Sequence, residues 1–178
     1  MTDDKNRPSG AGVDLEDMVA SSDTGARKPA GMPGKLLVSI AAVWSLFQLW
    51  IASPVPFVLG FGVFSATEAR SIHLAFALFL AYMAYPALKR SPRDRVPIQD
   101  WVLAAAAAFC GAYMFMFYEQ LSQRPGAPIL QDVIIGIAGI LLLLEATRRA
   151  LGPPLMIVAS VFLLYSLAGP WMPGILSH

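Results

Sequence analysis

Beyond residue 35 the chain alternates long apolar stretches with short polar connections. Five such stretches occupy residues 36–52, 72–88, 101–118, 129–147 and 154–171. Each is 17 to 19 residues long, and a helix needs roughly 17–25 apolar residues to cross the hydrocarbon of a bilayer. None shows the strict polar–apolar alternation of a barrel strand, and several are apolar all round, as lipid-embedded helices are. Hydrocarbon has no water to satisfy open backbone groups, so helices are the expected spanning form. The run 54–67 (PVPFVLGFGVFSAT) is also apolar, but prolines and glycines interrupt it. It reads as an interfacial or re-entrant loop, with a sixth span as the alternative. The pattern predicts an all-α integral membrane protein: a bundle of about five transmembrane helices preceded by a disordered N-terminal tail.

Composition strengthens this picture. Of 178 residues, 56% are hydrophobic and 14% charged, too apolar a balance for an ordinary soluble domain. The net charge of +1 gives no reason to expect a nucleic-acid partner. Residues 1–35 contain no apolar run and carry six acids against five bases, the composition of a disordered segment and not of a short, basic secretory leader. The single cysteine, Cys110, excludes an internal disulfide framework and any zinc site built from several thiolates.

Where the cations sit sets the expected orientation. The tail holds Lys5, Arg7, Arg27, Lys28 and Lys35; the second connection holds Lys89, Arg90, Arg93 and Arg95; the fourth holds Arg148 and Arg149. If five helices alternate, these eleven share one side and only Arg70 and Arg124 fall on the other. Cytoplasmic connections retain Lys and Arg, so the N-terminus is expected in the cytoplasm and the C-terminus outside. The expected organisation is a cytoplasmic tail (1–35), a four-helix membrane domain (36–152) and a fifth helix (153–178).

Ionisable groups at membrane depth are costly and become functional candidates. His73 lies about one turn inside the second stretch and is a low-ranking polar site, either a proton relay or an interfacial histidine bonded to a neighbouring helix or water. Glu119, Arg124 and Asp132 gather around one connection, where an interfacial salt bridge accounts for them. Glu145 precedes Arg148 and Arg149 by three and four residues, a spacing that pairs carboxylate and guanidinium on one helix face. These three residues form a candidate structural anchor at a helix C-terminus, and Gly152, Pro153 and Pro154 stop that helix. Small residues at Ala104, Ala108 and Ala112, with Ala107 and Gly111 beside them, and at Gly136 and Gly139, form a candidate helix interface. Tryptophans 44, 50, 101 and 171 and tyrosines 82, 85, 113, 118 and 165 fall mostly near segment ends, as an aromatic belt would. No catalytic constellation, cofactor motif or metal-ligand cluster stands out, so neither a catalytic residue, a cofactor nor a metal is expected.

Three strings carry a family resemblance: ARSIHLAFALFLAYMAYPAL (69–88), YEQLSQRPGAPILQDVIIGIAGILLLLEATRRALG (118–152) and FLLYSLAGPWMPGIL (162–176). Together they resemble the N-terminal, small-subunit-like region of fused membrane subunits of TRAP (tripartite ATP-independent periplasmic) transporters. The likeness is to the fusion type whose membrane unit pairs with a TAXI-type solute-binding protein. RSIHLAFA (70–77) and LLLLEATRRALG (141–152) are the distinctive parts. The resemblance implies a scaffold component of a secondary transporter importing an organic anion across a bacterial inner membrane. Its partners would be a large transport subunit or domain and, indirectly, the periplasmic solute-binding protein. The family continues into a large transport domain where this sequence reaches His178, so the chain is expected to be a separate small subunit or part of a fusion, and no substrate or ion site of the family maps onto it. The rival expectation is a small membrane-integral assembly or stress factor unrelated to transport.

Overall fold

In the computed structural model the described residues are 26, 27, 29, 31–88 and 95–169, and among them every regular element is a helix. Seven helices follow in order: α1 (Met32–Ala52), α2 (Val55–Leu59), α3 (Ala66–Ala84), α4 (Ile98–Met116), α5 (Tyr118–Ser122), α6 (Leu130–Leu151) and α7 (Pro153–Ala168). The α1, α4 and α6 helices are long and apolar enough to cross a membrane; α7, of 16 residues, is apolar but shorter. The 19 residues of α3 match α4 in length, with Glu68, Arg70 and His73 in its first half.

Local chemistry sets boundaries that hydropathy alone misplaces. The α3 helix starts six residues before the expected 72 because Ser65 and Glu68 form a reciprocal cap: the Glu68 amide donates to Ser65 Oγ at 3.3 Å, and the Ser65 amide donates to the Glu68 carboxylate at 2.8 Å. It ends at Ala84 and not at 88 because Tyr85 precedes Pro86 and is extended. The α6 helix runs on to Leu151, four residues past the expected end, until Gly152 turns the chain at φ 88°. That left-handed region favours glycine, and Pro153 then opens α7 at a position where its missing N–H is harmless. The run 54–67, expected as an interfacial or re-entrant loop with a sixth span as the alternative, holds no helix of spanning length. It contains the short α2, followed by Gly60 and Gly62, both at φ 64°, and Trp50 Nε1 closes the turn by donating to the Gly62 carbonyl at 3.1 Å.

The α1, α3, α4 and α6 helices alternate in direction. Trp44 of α1 reaches His73 of α3, while the Arg27 amide ahead of α1 donates to Ala84 O at the end of α3. Ser71 near the start of α3 bonds to Gly111 near the end of α4. Tyr113 near the end of α4 meets Asp132 at the start of α6, and Asp100 at the start of α4 meets Arg149 at the end of α6. Gly152 alone links α6 to α7. Thus α1, α4 and α7 begin, and α3 and α6 finish, at one end, hereafter the basic end.

The bundle is built around the α3–α4 pair. Its core is small: Leu78, Tyr82, Met83, Ala104, Ala107 and Ala146. Most large apolar side chains of α1, α6 and α7 face outward, and neither α1 nor α7 has a buried residue. The buried set, by contrast, includes Arg27, Ser71 and Asp100. Apolar surface outside and charge inside is the arrangement a hydrocarbon surrounding favours.

One tail boundary needs correction. The expected tail ran to residue 35, yet α1 begins at Met32 and the Arg27 side chain is fully buried against the bundle. The burial follows from two carbonyls and a carboxylate that await it at the basic end. Residues 1–25 lie outside the described residues, as do 89–94 of the basic connection and 170–178.

Candidate functional site

At the basic end five charged side chains from three parts of the chain form one network. Asp100 occupies the first turn of α4 and Arg148 and Arg149 the last turn of α6, each matching its helix dipole. Arg149 NH1 donates to Asp100 Oδ1 at 2.8 Å, and Arg27 NH2 donates to Asp100 Oδ2 at 2.5 Å. Arg149 Nε donates to Glu145 Oε1 at 2.8 Å, while Arg148 grips both Glu145 oxygens from Nε and NH2, each at 2.7 Å. Arg148 NH2 also donates to Ala87 O at 2.9 Å, and Arg27 NH1 to Tyr82 O at 3.5 Å. The Arg149 guanidinium lies over the Tyr82 ring, 4.6 Å from its centroid. Tyr82 donates its hydroxyl to Leu142 O at 2.9 Å, which anchors the ring between α3 and α6.

The network has an inner and an outer part. Asp100, Arg149 and Arg27 side chains are 5%, 3% and 0% exposed, whereas those of Glu145 and Arg148 are about one-third exposed. Buried charges persist only when paired, so Asp100 is the hub that allows two guanidiniums to be buried together. Chemically the network is a clasp: it ties the segment before α1, α3, α4 and α6 at one end. Glu145, Arg148 and Arg149 do pair with one another, with Glu145 and Arg148 at the rim of this larger network and Arg149 in its inner part.

Sequence reasoning missed Asp100 and assigned Arg27 to the tail and Tyr82 to the aromatic belt. Tyr82 is fully buried. The signal for Asp100 was available: an acid one residue before Trp101, at the mouth of an apolar stretch and just after a connection with four bases and one other acid, Asp94.

His73 sits in a separate cluster. Its Nδ1 accepts from Trp44 Nε1 at 3.2 Å, so in the neutral ring Nε2 carries the proton. The His73 ring centroid lies 5.8 Å from that of Trp44 and 5.6 Å from that of Phe47. This is a bonded histidine on a neighbouring helix, and it is not brought together with Glu145. At the same end of the bundle, Arg124 pairs with Asp132 at 3.1 Å and Tyr113 donates to Asp132 at 2.5 Å. Asp132 also caps α6 by accepting from the Ile129 amide at 3.0 Å. Glu119 stays out of this cluster: it lies exposed on α5 and makes no ion pair among the described residues. The one-turn helix points it to the surface.

The small residues of the candidate helix interface fall on more than one stripe. Ala104, Ala107 and Gly111 are the buried small residues of α4, spaced by three and four residues toward α3. A Cβ on Gly111 would lie 2.9 Å from the Ala75 amide nitrogen, so only glycine permits this backbone approach. Ser71 Oγ crosses the same contact, donating to Gly111 O at 2.7 Å and accepting from the Phe115 amide at 3.1 Å. Ala108 and Ala112 are offset from this stripe and line an apolar groove between α1, α3 and α4. Gly139 faces Cys110 on α4, with a Cβ there 3.4 Å from the Cys110 Cβ, whereas Gly136 is exposed, with open space around an added Cβ, at the edge of a groove between α3, α4 and α6. Among the described residues no three His, Cys, Asp or Glu side chains are grouped to hold a metal ion. No protein-family model, no curated protein and no solved structure matches the chain.

Proposed function

We propose that the chain is a membrane scaffold component of a TRAP-type secondary transporter, inserted in a bacterial inner membrane with its basic end toward the cytoplasm and five helices crossing the bilayer. Its role is to hold a fixed bundle beside a large transport subunit or domain that moves the organic anion, which a periplasmic solute-binding protein delivers.

The observation that carries this reading joins the two distinctive strings to the polar ties of the bundle. RSIHLAFA supplies Ser71, which locks α3 to α4, and His73, which receives Trp44 of α1. LLLLEATRRALG supplies Glu145, Arg148 and Arg149 of the clasp and ends on the glycine that turns into α7. The residues behind the resemblance are thus committed to holding helices together, as a scaffold requires. Outward-facing apolar surface on α1, α6 and α7 supports placement in lipid beside a partner.

The test is solute uptake in cells expressing a candidate large permease and its binding protein, with and without this chain. Uptake should require the chain, the chain alone should give none, and the two membrane components should co-purify in mild detergent. Recovery of the chain as a lone monomer while the permease transports without it would overturn the reading in favour of a free-standing assembly factor.

A further inference from the structure

In the half of the bundle away from the basic end, two donors converge on one acceptor. Trp44 Nε1 lies 3.2 Å and Gln48 Nε2 3.5 Å from the same atom, Nδ1 of His73. Trp44 and Gln48 are four residues apart on α1, so they share the face that meets α3. Among the described residues these are the side-chain hydrogen bonds between α1 and α3; aromatic contacts accompany them, with Trp44 stacked on Phe76 and Phe47 beside it, each at 6.3 Å between centroids. No residue of α1 is buried. The polar hold of α1 on α3 therefore depends on the lone pair of one nitrogen.

That lone pair is conditional. An indole N–H can only donate, so the Trp44 bond exists only while Nδ1 is bare. Histidine is the side chain that changes charge between pH 8 and pH 5, and the charged ring donates from both nitrogens. Nδ1–H then opposes the indole N–H across 3.2 Å, donor against donor, and Trp44 must let go. Gln48 need not. Its amide carries an acceptor as well as a donor; turned over about its last bond, it presents Oε1 in place of Nε2 and accepts the new proton. Gln48 is exposed and has no other hydrogen-bond partner among the described residues, so it can turn.

The surroundings leave this exchange to the two partners. No charged group lies on α1 from Leu36 to Ala52 or in the connection 53–65. On α3, the exposed Arg70 lies one turn before His73 on the same open groove, and Glu68 is tied to the Ser65 amide. On this half of α4 the titratable groups are Cys110, which faces Gly139 of α6, and Tyr113, which is bonded to Asp132.

We infer that His73 is a proton-operated joint between α1 and α3: neutral, it holds Trp44; charged, it releases Trp44 and takes Gln48. The groove it shares with Arg70 is the route by which the proton arrives. The inference does not rest on the transporter reading, within which the joint would link external pH to the seating of α1 in the scaffold.

The test is nuclear magnetic resonance of the full chain in mild detergent, with nitrogen-15 in tryptophan and histidine only, followed from pH 8 to pH 5. His73 and Trp44 are identified by the signals lost in His73→Gln and Trp44→Phe. The Trp44 indole resonance should move along one transition that coincides with the charging of the His73 ring, while that of Trp101 at the basic end holds. His73→Gln, which keeps an acceptor for Trp44 but cannot titrate, should abolish the transition. Gln48→Leu, at an exposed position, should shift the midpoint down by roughly 0.5–1 pH unit because the charged ring loses its acceptor, and Gln48→Glu should shift it up. A Trp44 resonance unmoved while His73 charges, a His73 ring still neutral at pH 5, a transition that persists in His73→Gln, or a midpoint unaltered in both Gln48 variants would each overturn it.

Discussion

Asp100→Ala is the perturbation that weighs the clasp. The carboxylate faces two guanidiniums, Arg27 at 2.5 Å and Arg149 at 2.8 Å, and all three side chains are at most 5% exposed. Removing it leaves two like charges buried side by side, with only Glu145 still paired to Arg149. Deleting one partner of a buried ion pair costs about 3–5 kcal/mol, because the charge left behind is desolvated without compensation. For a chain of this size that is a fall in melting temperature of roughly 6–20 °C. The assay is thermal unfolding in detergent, followed by helicity and by protease cleavage near Arg27, which should become accessible first. A control separates lost charge balance from lost packing: Arg27→Met, Asp100→Leu and Arg149→Met combined should be less destabilising than Asp100→Ala alone, because apolar replacement of a whole buried charge cluster is close to neutral. An Asp100→Ala loss below about 1 kcal/mol, the range of an exposed pair, would refute the reasoning.

Two further substitutions probe the rim and the helix contact. Glu145→Ala should cost only about 1 kcal/mol or less by the same melting assay, since its carboxylate is 33% exposed and water replaces much of what it accepts; a loss as large as that of Asp100→Ala would move the hub from Asp100 to Glu145. Gly111→Leu should separate α3 from α4, because even the first added carbon meets the Ala75 backbone at 2.9 Å, and a disulfide engineered between the two helices should then fail to form; unchanged cross-linking would mean that α4 rotates without penalty.

Much of the bundle was legible in hydropathy, because each apolar stretch is long and uninterrupted. The helix ends were not, since they depend on single side chains: the Ser65–Glu68 cap lengthens α3 backward into a run that reads as loop, and Gly152 sets where α6 stops. The Glu145–Arg148–Arg149 tie was legible because its partners lie one turn apart. Asp100 was not, because its partners lie 73 residues before it and 49 after it, and no local spacing announces such a meeting. Likewise the alanines of α4 advertise a close contact without saying which stripe makes it. A shift of about 100° per residue separates Ala107, buried against α3, from Ala108 in the groove.

The measurement closest to the core of this account is the labelling of single cysteines by a membrane-impermeant reagent applied from outside intact cells, in a Cys110→Ala background. Positions 70 and 126 should label and positions 95 and 152 should stay protected until the membrane is opened, as five crossings with the clasp inside require. Labelling of 95 and 126 from the same side would contradict it.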